Sequence, residues 1–337
     1  MNILLTSAGR RTYLVEYFKQ ALNGKGKVYA SNSIFTYTLA QADGYVLTPN
    51  IYDDSYIAFL LNYCIEHKID AIMSLFDIDL PVLAKNKILF EKEGIKLIVS
   101  DYNVTTICND KWQTYEFLVR IGLKQVPSFI NLAEVKNALV KGTVNYPLFI
   151  KPRWGMGSIG IYKVDNEEEM DVLYKKLHRE IFETYLKYES AIDKDSCIII
   201  QQAIKGLEYG MEVLNDLEGN YVATFAKKKI AMRSGETDIA ETVDPSYFIE
   251  IGKKLSKELG HIANLDVDCF VTEDGSIYVL EMNCRFGGQY PFTHNAGVNV
   301  PKQIIEWIEG KQTDFSLLTQ NIGVLCCKEL TPVTVSV

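Results

Sequence analysis

In the stretch DVDCFVTEDGSIYVLEMNCRFGGQYP, two carboxylates and an amide stand where a β-hairpin would gather them: Asp268, Glu281 and Asn283. Asp274-Gly275 is a strong turn signal, and SIYVLEMN is apolar on both faces until Glu281, the mark of a mostly buried strand that ends in a polar cluster. With those two residues as the loop, Glu273 pairs with Ser276 and the ladder sets Asp268 opposite Glu281. Facing like charges destabilise a sheet unless one is protonated or a cation lies between them. Asn283, two residues on, shares that face and adds a carbonyl oxygen. A few oxygen ligands of this kind suit Mg2+ (or Mn2+) whose remaining positions go to water and to the phosphates of ATP. A three-residue loop would break this register, and the plainer alternative is a solvated hairpin end with one acid exposed. Arg285 lies one step further along the same face. It either holds a transferring phosphoryl group or a substrate carboxylate bidentately, or simply pairs with the neighbouring acids.

A second stretch, KPRWGMGSIGIYKV, carries Gly155, Gly157 and Gly160 in a literal G-x-G-x-x-G spacing. A dinucleotide turn needs a helix immediately after the glycines, yet IGIYKV is β-branched and aromatic. The spacing therefore reads as a flap between two strands. Its backbone N–H groups and the Ser158 hydroxyl would cover a polyphosphate, and Lys151, at the end of the preceding strand, would add a point charge. The alternative is a mobile hairpin loop with a solvated lysine.

The elements that must hold these groups alternate in the first third of the chain. NILLTSAGRR reads strand then turn, and Leu14, Phe18 and Leu22 follow at helical spacing. KVYAS, DGYVLTP, a helix over 55–67, DAIMSLF and IKLIVS continue to about residue 105, which predicts a parallel sheet wrapped by helices. Beyond it the style becomes α+β: a helix in DKWQTYEFLVRIG, the strands YPLFIKPRW and IGIYKV, a charged helix over 166–186, the strand SCIIIQQAI, and paired strands turning at Glu218-Gly219-Asn220. A helix from about Pro245, with Phe248, Ile251, Leu255 and Leu259 on one face, ends at Gly260.

The 337-residue chain has a formal charge of -8, which argues against general nucleic-acid binding. Its seven cysteines form no CxxC pair and read as reduced thiols, so a cytoplasmic location is expected; no stretch is long enough for a membrane span. Ser7-Ala8-Gly9-Arg10-Arg11, Asp77 and Asp79 fall at strand ends of the first sheet and are candidates for substrate contacts, with helix capping and surface charge as alternatives. Cys284 and His294 read as packed residues rather than as nucleophile and base.

Taken in order, Asp110-Lys111, KPRWGMGSIGI, QQAIKGLEYGMEV and LEMNCRFGGQYP resemble the ATP-grasp superfamily, most closely the short single-copy proteins similar to the large subunit of carbamoyl phosphate synthase. The resemblance covers nearly the whole chain. It implies a pre-ATP-grasp α/β domain over residues 1–107 and an ATP-grasp domain over 108–312. The latter divides into a flap-bearing subdomain at about 125–200 and a metal-site subdomain at about 201–312, with a tail over 313–337 packing on the core. Lys111 and Lys151 match phosphate-binding lysines, and Gln201, Gln202 and Ile204 match the hinge that reads adenine. Glu208 or Glu212 would take the ribose hydroxyls. Asp268, Glu281 and Asn283 match metal ligands, Arg285 the arginine near the reacting phosphoryl group, and Arg233 and Glu236 a loop that nears the active site. Gln202, where many relatives carry glutamate, and Cys284, in place of a frequent proline, are departures.

The implied activity is ATP-dependent ligation of a carboxylate to an amine through an acyl phosphate, with small-molecule partners; a homodimer stays open. Phosphorylation of bicarbonate or carbamate, and ATP binding without catalysis, are the competing readings.

Overall fold

The structure, a computed structural model, describes residues 1–156 and 159–334. The first sheet comprises β1 (Asn2–Thr6), β2 (Lys27–Asn32), β3 (Gly44–Leu47), β4 (Ala71–Ser74) and β5 (Lys96–Leu97), all parallel in the order β3-β2-β1-β4-β5. Alternation along β1 explains the two covering layers. Ile3 and Leu5 pack with Leu14, Val15 and Phe18 of the helix Thr12–Leu22, whereas Leu4 packs with Tyr56, Leu60 and Cys64 of the helix Tyr56–Glu66. The strand order reverses between β1 and β4, so a crevice opens at their carboxyl ends. Asp79 closes its floor: its carboxylate accepts from Thr6 Oγ1 at 2.6 Å, Ser74 Oγ at 2.8 Å, Tyr56 Oη at 2.8 Å and Ser7 Oγ at 3.1 Å. That corrects both sequence readings of Asp79, which is neither a helix cap nor free for substrate.

The second sheet is antiparallel: β6 (Ser128–Phe129), β7 (Leu148–Pro152), β8 (Tyr162–Val164) and β9 (Ile198–Gln202), in the order β6-β9-β7-β8. Met170, Leu177 and Ile181 of the helix Glu167–Glu183 cover it. Asn166 caps that helix by accepting from Glu169 N at 2.9 Å, and three glutamates in the first turn favour its positive end.

The third sheet carries the expected acid trio. It comprises β10 (Leu207–Asn215), β11 (Tyr221–Arg233), β12 (Glu236–Val243), β13 (Asn264–Val271), β14 (Ile277–Asn283) and β15 (Leu325–Cys327), in the order β14-β13-β10-β11-β12-β15. Thus part of the C-terminal segment joins the sheet as an edge strand, pairing Ile239 with Cys327. Period-two alternation makes the sheet two-sided. Met211, Val213, Ala226, Leu265, Val267 and Met282 pack on Phe248, Leu255 and Leu259 of the helix Ser246–Leu259, while acids and lysines occupy the other face.

The hairpin of β13 and β14 departs from the expected loop. Val271 pairs with Ile277, one residue off the predicted register, and Thr272 N bonds Ser276 O at 3.0 Å around a three-residue loop. An irregularity between Asp268 and Cys269 leaves Leu280 as an extra residue on β14, and this bulge restores the pairing of Asp268 with Glu281. The facing acids are therefore present for a different reason than the turn signal implied.

On the charged face, Lys227 is wholly buried and donates to Glu212 at 2.6 Å. Replacing Lys227 by methionine strands the Glu212 charge and is expected to cost about 3–5 kcal/mol in denaturant unfolding, with much of the loss recovered in a Lys227→Met/Glu212→Leu double variant. Equal stability of the single variant and the wild type would contradict this account.

Candidate active site

Lys151 ends the buried run of β7 and is only 7% exposed. Burial lowers its ammonium to about 8; neighbouring Lys111 pushes the same way, and Glu281 and Asp268 oppose it. Lys111 opens the helix Lys111–Arg120, whose N-cap Asp110 accepts from Trp112 N at 2.9 Å. The same Asp110 receives Arg153 Nε and Nη2, each at 2.7 Å, so the two lysine-bearing segments are bolted together by a buried bidentate pair. Lys111 Nζ donates to Gly155 O at the base of the flap. Gly160 has φ +68°, and a Cβ there would fall 2.7 Å from Leu177 Cδ1, so the position suits glycine alone. Gly157 and Ser158, the expected tip of the flap, lie outside the described residues.

At the end of β9, the Gln201 side chain donates to Ser128 Oγ at 2.8 Å, while Gln202 N and Ala203 N bond Pro127 O and Pro147 O; Ile204 follows as the chain leaves the sheet. The hinge backbone is thus fixed. Glu208 meets Lys229 Nζ at 2.7 Å and keeps part of its side chain exposed. Glu212 does not: its oxygens are taken by Lys227 and by Thr293 Oγ1 at 2.7 Å in the interior. A buried, fully engaged carboxylate is unavailable to a ribose, which corrects the expectation for Glu212 and leaves Glu208.

The trio expected to hold a metal lies together on one face, with Asp268 opposite Glu281 and Asn283 opposite Asp266. Lys229 Nζ also reaches Asp268 at 2.7 Å, and Gln289 Nε2 donates to it at 3.0 Å. Burial pushes the Asp268 carboxyl above its usual range, with Lys229 opposing. For Glu281, burial alone would act likewise, but Lys111, Lys151 and Lys229 hold it below. Among the described residues no group of three or more histidine, cysteine or acidic side chains gathers as a metal site. Two carboxylates and one amide oxygen fit a hard cation that keeps most of its other ligands, as Mg2+ does when it arrives with a nucleotide.

Arg285 pairs with two neighbouring acids. Nη2 donates to Asp77 at 2.7 Å and Nη1 to Asp266 at 3.2 Å, while Nε is buried without a partner among the described residues. Asp77 is therefore an ion-pair partner rather than a helix cap. Arg233, at the end of β11, bonds Asp238 at 2.9 Å with its side chain 48% exposed; the hairpin tip does not bring it onto the acid trio. Glu236, beside it, pairs with Lys328 at 3.2 Å and lies in the field of Arg10 and Arg11. Burial lowers His294 to about 4, and its ring stacks on Tyr17 with centroids 3.5 Å apart, which makes it a packed residue.

Three participants escaped the sequence reading: Lys229, Asp266 and Gln289. The signals were indirect. Gly210 faces Asp268, and a Cβ there would fall 1.5 Å from Gln289 Oε1; a Cβ on Gly287 would fall 2.2 Å from the Asp266 carboxylate. These two glycines leave the room in which Gln289 and Asp266 sit.

Residues 108–289 match the family described as the ATP-grasp domain, and residues 3–98 match the PylC-like N-terminal domain. The chain belongs to the ATP-grasp family. It is similar to the vancomycin/teicoplanin A-type resistance protein VanA of Enterococcus faecium, 29% identical over 64% of this chain and 65% of that protein. Carbamoyl phosphate synthase large chains are also among its relatives. The fold is like that of the biotin carboxylase domain of Hydrogenobacter thermophilus 2-oxoglutarate carboxylase in complex with MgADP, at TM-score 0.75 and 20% identity over 96% of this chain and 73% of that one. It is equally like that of an L-amino acid ligase from Bacillus licheniformis, at TM-score 0.74 and 20% identity over 96% and 78%. The matched stretch spans 65%, 49% and 20% of three curated relatives' own lengths.

If Lys151 grips phosphate as an ammonium, nucleotide affinity stays level below about pH 8 and falls above it, since its charge is lost as pH rises through its free-protein value. Lys151→Arg, charged throughout, is expected to flatten that fall in calorimetric titrations. An unchanged pH profile in the variant would remove Lys151 from the phosphate site.

Proposed function

We propose that the protein is an ATP-dependent ligase that joins a carboxylate to an amine through an acyl phosphate, releasing ADP and phosphate. The observation that carries this reading is the oxygen trio Asp268, Glu281 and Asn283 on one sheet face, with Lys151 of the second sheet, Lys111 of the linking helix and Arg285 all within the field of Glu281. A site for binding ATP alone has no need of an arginine held beside the acids by Asp77 and Asp266.

In this reading Lys111 and Lys151 bind the phosphates and the flap lies over them. Gln201 to Ile204 present backbone to adenine, and Glu208 takes the ribose. Asp268, Glu281 and Asn283 would hold Mg2+, which when bound screens the charge that develops on the phosphates. Arg285, held by Asp77 and Asp266, orients the carboxylate whose oxygen attacks the γ-phosphorus. Closure of the cleft keeps water from the acyl phosphate until the amine arrives. Support from relatives is of the same class: one solved neighbour is named as an L-amino acid ligase and another was solved with MgADP.

A panel of carboxylates and amines with Mg-ATP tests this by ADP release. The expected result is turnover that needs both an acid and an amine, and a fall of about 10²-fold or more in kcat/KM for Glu281→Gln. Turnover driven by bicarbonate without any amine would favour a carbamoyl-phosphate type of reaction. ATP binding with no turnover across the panel would sink the ligase reading.

A further inference from the structure

One buried acid near this cleft has no role in the scheme above. Glu189 lies in the short helix Lys187–Ser190, between the flap-bearing sheet and the first domain, and is 9% exposed. Its Oε1 is fixed by Asn109 Nδ2 at 2.5 Å, and Asn109 precedes the Asp110-Lys111 pair of the phosphate site. Its Oε2 is buried and has no hydrogen-bond partner among the described residues. Across from it stands Tyr52 of the first domain. The ring of Tyr52 stacks on Tyr188, next to Glu189 in sequence, with centroids 4.3 Å apart, and its hydroxyl is likewise buried and unpartnered among the described residues.

Unpaired buried oxygens are costly unless a ligand or water meets them. The neighbouring charges define what that is. Asp77 is bound by Arg285 and Asp110 by Arg153, so these carboxylates already carry their cations. Glu189 forms no ion pair among the described residues, although the fields of Asp77 and Asp110 reach it. A carboxyl with no cation paired to it among the described residues, and a hydroxyl beside it among aromatic rings, suit a small ammonium.

We propose that Glu189 and Tyr52 form the subsite of the acceptor amine, with Glu189 Oε2 taking a proton from its ammonium. This rests on the ligase reading. The ammonium gives one proton to the Glu189 carboxylate, and the nitrogen lone pair forms the C–N bond at the acyl carbon. The bond from that carbon to the phosphate oxygen breaks with its electron pair, and the second nitrogen proton leaves with the phosphate. Position supports the assignment: Asp77, which carries Arg285, and Lys111 both lie within the field of Glu189. So does its titration. Burial raises Glu189 to about 7, Asn109 and Lys111 pull it down, and Asp77 and Asp110 push it up, which suits a base working near neutrality. Tyr52 and Tyr185, the other titratable groups facing it, are raised by burial and keep their protons.

The experiment compares two nucleophiles on the full-length protein: the amino acid that the ADP-release panel selects, which enters as an ammonium, and hydroxylamine, which is already a free base at neutral pH. Wild type is expected to use the amino acid with a rate that rises through about pH 7, because the base must be ionised. Glu189→Gln is expected to lose that rise and to lower the preference for the amino acid over hydroxylamine by about 10²-fold. Tyr52→Phe is expected to raise KM for the amino acid by about five-fold with KM for ATP unchanged. If the two nucleophiles fall by the same factor in Glu189→Gln, or KM for the amino acid is unmoved in Tyr52→Phe, the subsite is wrong and the ligase reading stands. If wild type forms neither amide nor hydroxamate with any carboxylate, the ligase reading falls and takes this subsite with it.

Discussion

The structure depends on how one sheet face tolerates its own charge. Strands β10, β13 and β14 place Glu208, Glu212, Asp266, Asp268 and Glu281 on the side opposite the apolar core, where Glu212 raises the cost of ionising Asp266, and Asp266 and Glu281 that of Asp268. Cations answer them one by one: Lys227 for Glu212, Lys229 for Glu208 and Asp268, and Arg285 for Asp266. Glu281 has no such partner in contact among the described residues and is kept ionised only by the field of three lysines and Arg285.

The same charges tie the three sheets to one another. Arg285 reaches from the end of the β13–β14 hairpin to Asp77 of the first domain, and Arg153 reaches from the base of the flap to Asp110 at the start of the linking helix. Lys111 bonds the flap base itself. A nucleotide that drew on Lys111 would compete with Gly155 O, and so would couple its binding to the base of the flap.

Much of this was legible in the sequence. The parallel sheet followed from alternating elements, and the helix from Pro245 to Gly260 stands where its apolar spacing and its end signals put it. The glycine loop lies between antiparallel strands, as the β-branched run after it required. The facing of Asp268 and Glu281 was reached with the wrong loop, because turn chemistry is local whereas a bulge at Leu280 is set by the whole ladder. Among the consecutive lysines 227 to 229, composition alone does not say which point inward; pairing with β10 decides it. Asp266 and Glu189 were missed because their partners, Arg285 and Asn109, are 19 and 80 residues away in the chain.

The most direct test of the charged face as a metal and nucleotide site is a crystal structure with Mn2+ and a non-hydrolysable ATP analogue, read by the anomalous signal of the metal. This account expects an anomalous peak in coordination distance of Asp268, Glu281 and Asn283 oxygens and of the analogue's phosphates, at roughly 2 Å. Nucleotide bound in the cleft with the metal elsewhere, or with Glu281 turned away from it, would contradict it.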